Sequence, residues 1–196
     1  MTQSSLPAHL LVKGSEVPRQ CHSSTGALDL EKGRPPRFFG GFKPHKGGLY
    51  SAPLLPCGLS AWEKFCFEEN FHSDRLTTRT LFFVREEAAL VKIDGLDDIH
   101  AFDEDCWGRP FLNMGINDRH LYWQRLLKHV DGAWITQAGA DAAAELLMAR
   151  QYVGVWDVET VFLKDSAQDV TVPIVSAGPA APSSAFWARW GGYSGE

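Results

Sequence analysis

The alternation of apolar and polar positions along this chain predicts several helices. Ser60 and Glu63 form a capping-box pattern in front of apolar residues at helical spacing, which predicts a helix that begins at Ser60. Residues 138–151 are rich in Ala, Leu, Glu and Met, and this composition favours a second helix. The leucines of residues 118–130 recur along one side and predict a third helix.

Other stretches are typical of strands. Residues 79–84 and 88–93 are rich in apolar and β-branched residues, and the charged residues 85–87 separate them, so we expect a hairpin or two neighbouring strands. Residues 133–136 predict a short buried strand. Residues 152–163 are dense in β-branched and aromatic side chains, and they predict the strongest strand of the protein.

The two ends of the chain have a different composition from the middle. Residues 1–48 are rich in Ser, Gly, Pro and Lys and predict mostly loop. Within them we expect a strand at about Cys21 and then a short helix capped by one of the next hydroxyl residues. Because no regular β-α-β period occurs, the order of elements favours one α+β domain over residues 1–165. Residues 166–196 then form an Ala/Pro/Ser-rich tail with an aromatic anchor.

Composition and charge exclude several classes of protein. Of the 196 residues, 44% are apolar and 22% charged, so the chain can bury a core. The net charge of −5 disfavours a general nucleic-acid-coating role. No apolar run approaches the roughly 20 residues of a membrane span, and no secretory signal is recognisable, so we expect no membrane contact. We expect a cytoplasmic protein, or one delivered into a target cell without a classical signal peptide.

Cysteine and histidine positions argue against disulfide and metal chemistry. The four cysteines form no C-x-x-C pair, and we interpret them as reduced thiols. The seven histidines show no metal-ligand spacing on a predicted helix, so we expect no metal. Neither a phosphate-binding G-x-x-x-x-G-K-[ST] loop nor a G-x-G-x-x-G motif after a strand occurs, which disfavours the common nucleotide-binding folds.

Three segments are chemically unusual. His22 stands at the expected end of a strand, and Tyr50 follows two glycines. Asp157 and Glu159 lie within the predicted late strand, on the face that carries Val161. Because burial of unpaired carboxylates is costly, two of them on an apolar stripe indicate a cleft.

Taken in this order, the segments resemble the ADP-ribosyltransferase superfamily, in its diphtheria-toxin-like and poly(ADP-ribose)-polymerase-like branch. The run His22-Ser23-Ser24 is similar to the branch's His-Gly-Thr/Ser motif, with Ser23 in place of the glycine. Gly48-Leu49-Tyr50-Ser51-Ala52 is similar to its Gly-aliphatic-Tyr-small run, and Trp62 to the aromatic residue at the start of the next helix. Val158-Glu159 is similar to its valine and glutamate in a late strand. The resemblance covers residues 22–163.

The resemblance implies a split β-sheet core with flanking helices and an enzyme that consumes NAD. Glu159 would stabilise the oxocarbenium-like sugar cation that forms when nicotinamide leaves. Tyr50 and Trp62 would stack on the cationic nicotinamide ring. His22 would contact the adenosine ribose, and the Ser23 backbone would hold the amide. Gly48 and Ser51 match the remaining cofactor-binding positions of the motif. The acceptor of ADP-ribose would be a macromolecule, with a protein preferred to a nucleic acid, as in a bacterial toxin, an effector or a phage modifier.

Alternatives remain open at this stage. Without an acceptor the same chemistry is that of an NAD glycohydrolase. A second branch of the superfamily uses Arg, Ser and Glu, for which Arg19, Ser51 and Glu159 are candidates, although its Ser-Thr-Ser run is missing. A third relative transfers a 2′-phosphate from RNA to NAD. Outside the enzymes, a non-enzymatic binding module on the same fold is the alternative, since single aromatic residues are commonly core residues.

Overall fold

Strands and short helices together form a mixed α+β fold, as the order of elements predicts. The structure is a computed structural model, and it describes residues 6–26, 28–30, 36–37, 47–108, 119–154, 156–170 and 174–177. The strands in these ranges are β1 (Leu11–Lys13), β2 (Gln20–Ser24), β3 (Leu49–Pro53), β4 (Thr78–Phe82), β5 (Ala89–Ile93), β6 (Trp107–Gly108), β7 (Arg119–Leu121), β8 (Gly132–Ile135), β9 (Gln151–Tyr152), β10 (Thr160–Leu163) and β11 (Ile174–Ala177). The α-helices are α1 (Ala61–Glu68), α2 (Leu96–His100), α3 (Trp123–Leu126), α4 (Gln137–Met148) and α5 (Ser166–Asp169).

A large mixed sheet forms the framework of the molecule. Its strand order is β1-β5-β8-β10-β3-β2-β4-β11, and the small sheet has the order β6-β7-β9. Neighbouring strands of the large sheet are antiparallel except β5 and β8, which are parallel. Strands β10, β3 and β2 therefore lie side by side at its centre, although they are far apart along the chain.

Both faces of the large sheet carry a hydrophobic core. Phe162 belongs to the core that also contains Ile135 and Ala143 of α4. Its neighbours on β10, Val161 and Leu163, belong to the opposite core. This division follows from the period of two along a strand, which sends successive side chains to opposite faces. The central strands are therefore covered on both faces over most of their length.

Two of the predicted helices are confirmed: α1 has the expected capping box, and α4 covers most of the helix predicted from composition. Ser60 caps α1 by accepting a hydrogen bond from the Glu63 backbone at 3.1 Å, and the Glu63 carboxylate accepts from the Ser60 backbone at 2.7 Å. Thr136 caps α4 by accepting from the Gly139 backbone at 3.2 Å. The buried strand expected at residues 133–136 is β8.

The pairing expected for residues 79–84 and 88–93 is wrong. Both segments form strands, but β4 pairs with β2 and β11, whereas β5 pairs with β1 and β8. They lie in opposite halves of the large sheet. Residue pattern identified the strands correctly, but their partners come from distant parts of the chain.

The single long strand expected at residues 152–163 is also wrong. The chain forms β9 in the small sheet and β10 in the large sheet, and residues 153–159 connect the two. Gly154 adopts a φ of 126°, a left-handed backbone conformation that favours glycine. Asp157 and Glu159 consequently lie on a connection and not on one strand face. The whole segment has high β propensity, but only the residues that find a partner strand form β-structure.

The helix expected at residues 118–130 is shorter than predicted. Residues 119–121 form β7 and pair with β6 and β9, and only α3 is helical. Its apolar side chains still enter the core, as the pattern indicates: Leu121, Leu126 and Leu127 are buried.

The ends of the chain contain more regular structure than their composition predicts. Within residues 6–26, β1 and β2 join the large sheet, so this part is not mostly loop. The short helix expected after β2 is wrong for the residues that the structure describes, because Ser23 and Ser24 belong to β2 and residues 25, 26, 28 and 29 are not helical. The aromatic anchor of the tail lies outside the described residues. Beyond the predicted domain limit at residue 165, β11 pairs with β4 over four residues and extends the same sheet.

Candidate functional site

A cavity opens where the central strands β2 and β3 separate. The two strands are paired at Gln20 with Pro53 and at Cys21 with Ala52, and the described pairing ends there. The cavity has a volume of about 350 Å³, within the range of small-molecule sites. Its walls come from β2, β3, the start of α1 and the segment 156–160 that leads into β10.

His22 spans the gap between the separated strands. Its Nδ1 lies 2.7 Å from the backbone oxygen of Tyr50. Because a carbonyl oxygen only accepts hydrogen bonds, Nδ1 carries the hydrogen and Nε2 is left with a lone pair. Burial lowers the pKa of His22, and the bond to Tyr50 offsets this only in part. The ring is therefore neutral at pH 7, and His22 is one of the residues that line the cavity.

Three aromatic residues, Tyr50, Trp62 and Trp156, line the cavity. The ring centroids of Tyr50 and Trp156 are 6.2 Å apart, and Tyr50 also packs on Phe162 at 4.9 Å. Trp62 stacks on Phe65 of the same helix at 5.6 Å. Burial raises the pKa of Tyr50, so its hydroxyl stays protonated. Such surroundings suit a flat or cationic ring.

Trp156 was absent from the site predicted by sequence. The only sequence signal was its place beside Asp157, in a segment noted for its carboxylates. Trp156 is 6% exposed and packs against Trp123 at 5.3 Å between centroids. It lies in the connection between β9 of the small sheet and β10 of the large sheet, and this connection places it on the cavity wall.

A buried ionic network lies beside the cavity. The Glu63 carboxylate has no exposed surface and lies 2.8 Å from the Nε of Arg79, whose Nη2 donates to it at 3.0 Å. The Ser23 hydroxyl donates to the same carboxylate at 2.6 Å. Burial raises the pKa of the neighbouring Cys21 thiol. The sequence indicated Glu63 only as a helix cap, because its partner on β4 is sixteen residues away.

Ser51 lines the cavity, whereas Gly48 does not appear among its lining residues. The Ser51 hydroxyl donates to the Gln20 side-chain oxygen at 3.0 Å. Gly48 has a φ of +66° and lies against the ring of Phe162. Because glycine has no side chain, Gly48 allows the start of β3 to lie close to Phe162 and Leu163 of β10.

The two carboxylates occupy different positions. Asp157 lines the cavity and is exposed. Glu159 is half-buried, and its Oε1 accepts a hydrogen bond from the indole nitrogen of Trp134 at 2.8 Å. Glu159 is not among the residues that line the cavity, although its neighbours Val158 and Thr160 are. The structure thus brings together His22, Ser23, Tyr50, Ser51 and Trp62, and Asp157 is the acidic residue among those that line the cavity.

Arg19 and the remaining predicted features do not form part of the proposed ligand contacts, and Arg19 is not among the residues that line the cavity. Arg19 is half-buried, and its guanidinium lies over the ring of Phe83 at 5.7 Å. Cys21, Cys57, Cys66 and Cys106 are free thiols. In the described ranges, no group of three or more His, Cys, Asp or Glu side chains is arranged to hold a metal ion. None of the helices in those ranges is long and apolar enough to cross a bilayer.

Comparisons with other proteins do not assign this chain to a family: no protein-family model, no curated protein and no solved structure matches it.

Proposed function

We propose that this protein is an NAD-consuming ADP-ribosyltransferase of the His-Tyr-Glu type, which acts as an NAD glycohydrolase when water replaces the acceptor. The observation that carries the proposal is the cavity itself. His22, Tyr50 and Trp62 come from three different elements and line one hollow at the separation of β2 from β3. The fold that we propose is accordingly the split sheet of that superfamily, and the short β2–β3 pairing supports it.

The chemistry of the cavity suits the nicotinamide end of NAD. Its pyridinium ring is flat and cationic, so it gains stacking and cation–π attraction against Tyr50, Trp62 or Trp156. Nicotinamide leaves when the bond between its ring nitrogen and the ribose carbon breaks, and the bonding electrons stay on nitrogen. The cationic ribose carbon is then captured by an acceptor nucleophile or by water, which loses a proton. The proposed acceptor is a macromolecule, with protein preferred.

The carboxylate that steadies this cation is proposed from two candidates. Glu159 has the position that the resemblance implies, two residues beyond Asp157, but it bonds Trp134 and lies off the cavity. Asp157 lies on the cavity wall. Rotation of the Glu159 side chain away from Trp134 would be needed for it to reach the ligand.

The test is release of free nicotinamide from NAD by wild type, Glu159→Gln and Asp157→Asn. We expect release by wild type and loss of at least about 100-fold in the variant that lacks the catalytic carboxylate, with NAD affinity changed less than about threefold. Glu145→Gln, an exposed change of the same type on α4, is the matched control and should keep full turnover. Full turnover in both carboxylate variants would refute the carboxylate mechanism.

A binding module without turnover is the second candidate. The position of Glu159 off the cavity favours it, because a site without that carboxylate binds a flat ring but lacks the predicted catalytic group. The same experiment separates the two functions. Wild-type protein that binds NAD in calorimetry and releases no nicotinamide, with protein acceptors supplied, supports the module.

A further inference from the structure

Arg79 of β4 connects two elements beside the cavity. Its Nε lies 2.8 Å from one Glu63 oxygen, and its Nη2 donates to the other at 3.0 Å. The same Nη2 donates to the backbone oxygen of Gly58 at 2.7 Å, in the loop that precedes α1. Arg79 is not among the residues that line the cavity. It therefore connects β4 with the start of α1 without being part of the cavity wall.

Glu63 extends this connection to the cavity wall. Its Oε1 accepts a hydrogen bond from the Ser23 hydroxyl at 2.6 Å, and the Cys21 thiol donates to the same oxygen at 3.8 Å. Both Ser23 and Cys21 belong to β2 and line the cavity. Glu63 also directly follows Trp62, which α1 contributes to the wall. One carboxylate therefore joins the two elements that supply these parts of the wall.

The bonds of Glu63 exceed what the helix requires. A capping box needs one acceptor for the Ser60 backbone N–H, and a neutral glutamine also supplies it. Glu63 has no exposed surface, so its charge is costly to bury and needs the pairing with Arg79. Replacing both members of a buried ion pair by neutral residues is often harmless to stability, whereas removing one member is strongly destabilising. What the charged pair adds is geometry, because a planar guanidinium that binds both carboxylate oxygens fixes the orientation of the two groups.

We infer that Arg79 is a positioning residue: through Glu63 it holds the α1 part of the cavity wall, with Trp62, at a fixed separation from the β2 part. The inference rests on the proposed function, because the ligand whose binding depends on this separation is NAD. It adds a residue of β4 that acts on the ligand only through other side chains. A flat ring gains its attraction from close contact with the wall, so a displaced wall weakens binding even in a fully folded protein.

Three variants separate positioning from stability. Arg79→Met leaves Glu63 buried without its cation, so we expect lower stability in urea denaturation and weaker NAD binding. The double variant Glu63→Gln/Arg79→Met removes one charge of each sign and keeps an acceptor for the Ser60 N–H. We therefore expect it to regain most of the lost stability. Arg75→Met, at an exposed arginine in the turn before β4, is the matched control and should behave as wild type.

The first readout does not use NAD. N-ethylmaleimide is reacted with wild type and Arg79→Met, and the rate at Cys21 is divided by the rate at Cys106, each followed by mass spectrometry of its peptide. Cys106 is buried directly before β6, so global unfolding exposes both thiols alike and leaves the ratio unchanged. Displacement of the wall exposes Cys21 alone. We expect the ratio to rise at least about threefold in Arg79→Met.

Loss of the Arg79 charge by itself acts in the opposite direction. Burial raises the pKa of the Cys21 thiol, and the charge of Arg79 lowers it. Arg79→Met therefore raises this pKa further and leaves less of the reactive thiolate, which slows the reaction. A faster reaction at Cys21 thus reports a more accessible thiol.

The second readout is the dissociation constant of NAD, measured by calorimetry on the full chain at a temperature where circular dichroism shows each variant folded. We expect the constant to rise at least about tenfold in Arg79→Met, because the wall is displaced. In the double variant we expect it to stay raised by at least about tenfold although stability has returned. A role in stability alone predicts that affinity returns with stability.

Each outcome decides between these claims. An unchanged labelling ratio in Arg79→Met overturns the inference. NAD affinity that is unchanged in Arg79→Met, or that recovers with stability in the double variant, also overturns it and leaves the proposed function standing. Wild type that binds no NAD overturns the proposed function and the inference with it. A raised ratio together with weaker NAD binding in a double variant of restored stability supports the inference, whether or not nicotinamide is released.

Discussion

His22 shows how far the role of one side chain depends on its strand neighbours. Sequence indicated a histidine at a strand end, which alone is more often structural than functional. The structure gives it a defined protonation state, because the Tyr50 backbone oxygen takes the Nδ1 hydrogen at 2.7 Å. That bond exists because β2 and β3 have already separated at this level of the sheet. The lone pair on Nε2 is thus a product of strand geometry.

Gly48, at the start of β3, has no room for an added methyl group. A Cβ there would collide with the ring of Phe162 and lie 2.7 Å from the Leu163 backbone oxygen, and the φ of +66° adds strain. We expect Gly48→Ala to lower the free energy of unfolding by about 2 to 4 kcal/mol in urea denaturation.

Gly26→Ala is the control for this change. A Cβ at Gly26 would meet no atom within 4 Å, so we expect an effect below about 0.5 kcal/mol. Equal loss of stability in the two variants would contradict the packing of Gly48 against Phe162.

At the scale of elements, α1 connects the cavity to the interior. Its first turn carries Trp62, which lines the cavity, and Glu63, which has no exposed surface. The capping box aligns both residues, because Ser60 and Glu63 satisfy each other's backbone N–H groups. Local sequence is sufficient to predict this helix, since the side chains and backbone N–H groups that form the capping box belong to Ser60 and Glu63, three residues apart.

We expect Ser60→Ala to lower the free energy of unfolding by about 1 kcal/mol, because the N–H of Glu63 loses its acceptor. Ser73→Ala, a serine outside any described cap, should change it by less than about 0.5 kcal/mol. Thermal or urea unfolding followed by circular dichroism measures both. Equal stability of Ser60→Ala and wild type would mean that the cap is not formed in solution.

The prediction of one long strand at residues 152–163 is wrong because the two ends of this segment pair with different sheets. The segment has the composition of one strand, but Gln151 and Tyr152 pair with β7, while residues 160–163 pair with β3 and β8. Propensity describes how well a residue suits a pleated surface and says nothing about which surface. The connection between β9 and β10 brings Trp156 and Asp157 to the cavity and leaves Glu159 beside Trp134.

At the scale of the whole molecule, the C-terminal part of the described chain returns to the sheet. Asp169 is 8% exposed and precedes Val170, which forms a bridge to Val84. Burial, together with the carboxylate of Asp131, raises the pKa of Asp169 to about 6. Asp131 and Asp169 are far apart in the chain, so the raised pKa of Asp169 depends on the folded structure that brings them together.

The pH dependence of stability tests this contact. Between the ordinary aspartate range and pH 6 the folded protein binds more protons at Asp169 than the unfolded chain does, so its stability falls as pH rises through that interval. We expect Asp169→Asn to remove this fall and to raise the free energy of unfolding at pH 7 by about 1 kcal/mol. Asp141→Asn, on an exposed position of α4, should leave the pH profile unchanged. A wild-type profile retained by Asp169→Asn would contradict the assignment.

The sequence by itself determined the α+β class, the capping box of α1, the helix α4, strands at β2, β4, β5, β8 and β10, and five residues of the cavity wall. Capping, periodicity and propensity act within a few residues, so they can be read from neighbours in the chain. Only the tertiary structure decided the partners of each strand, the division of residues 152–163 and the choice of Asp157 over Glu159 on the cavity. It also decided which hydrogen bonds the buried carboxylate receives, because those bonds join residues such as Ser23 and Glu63 that folding brings together.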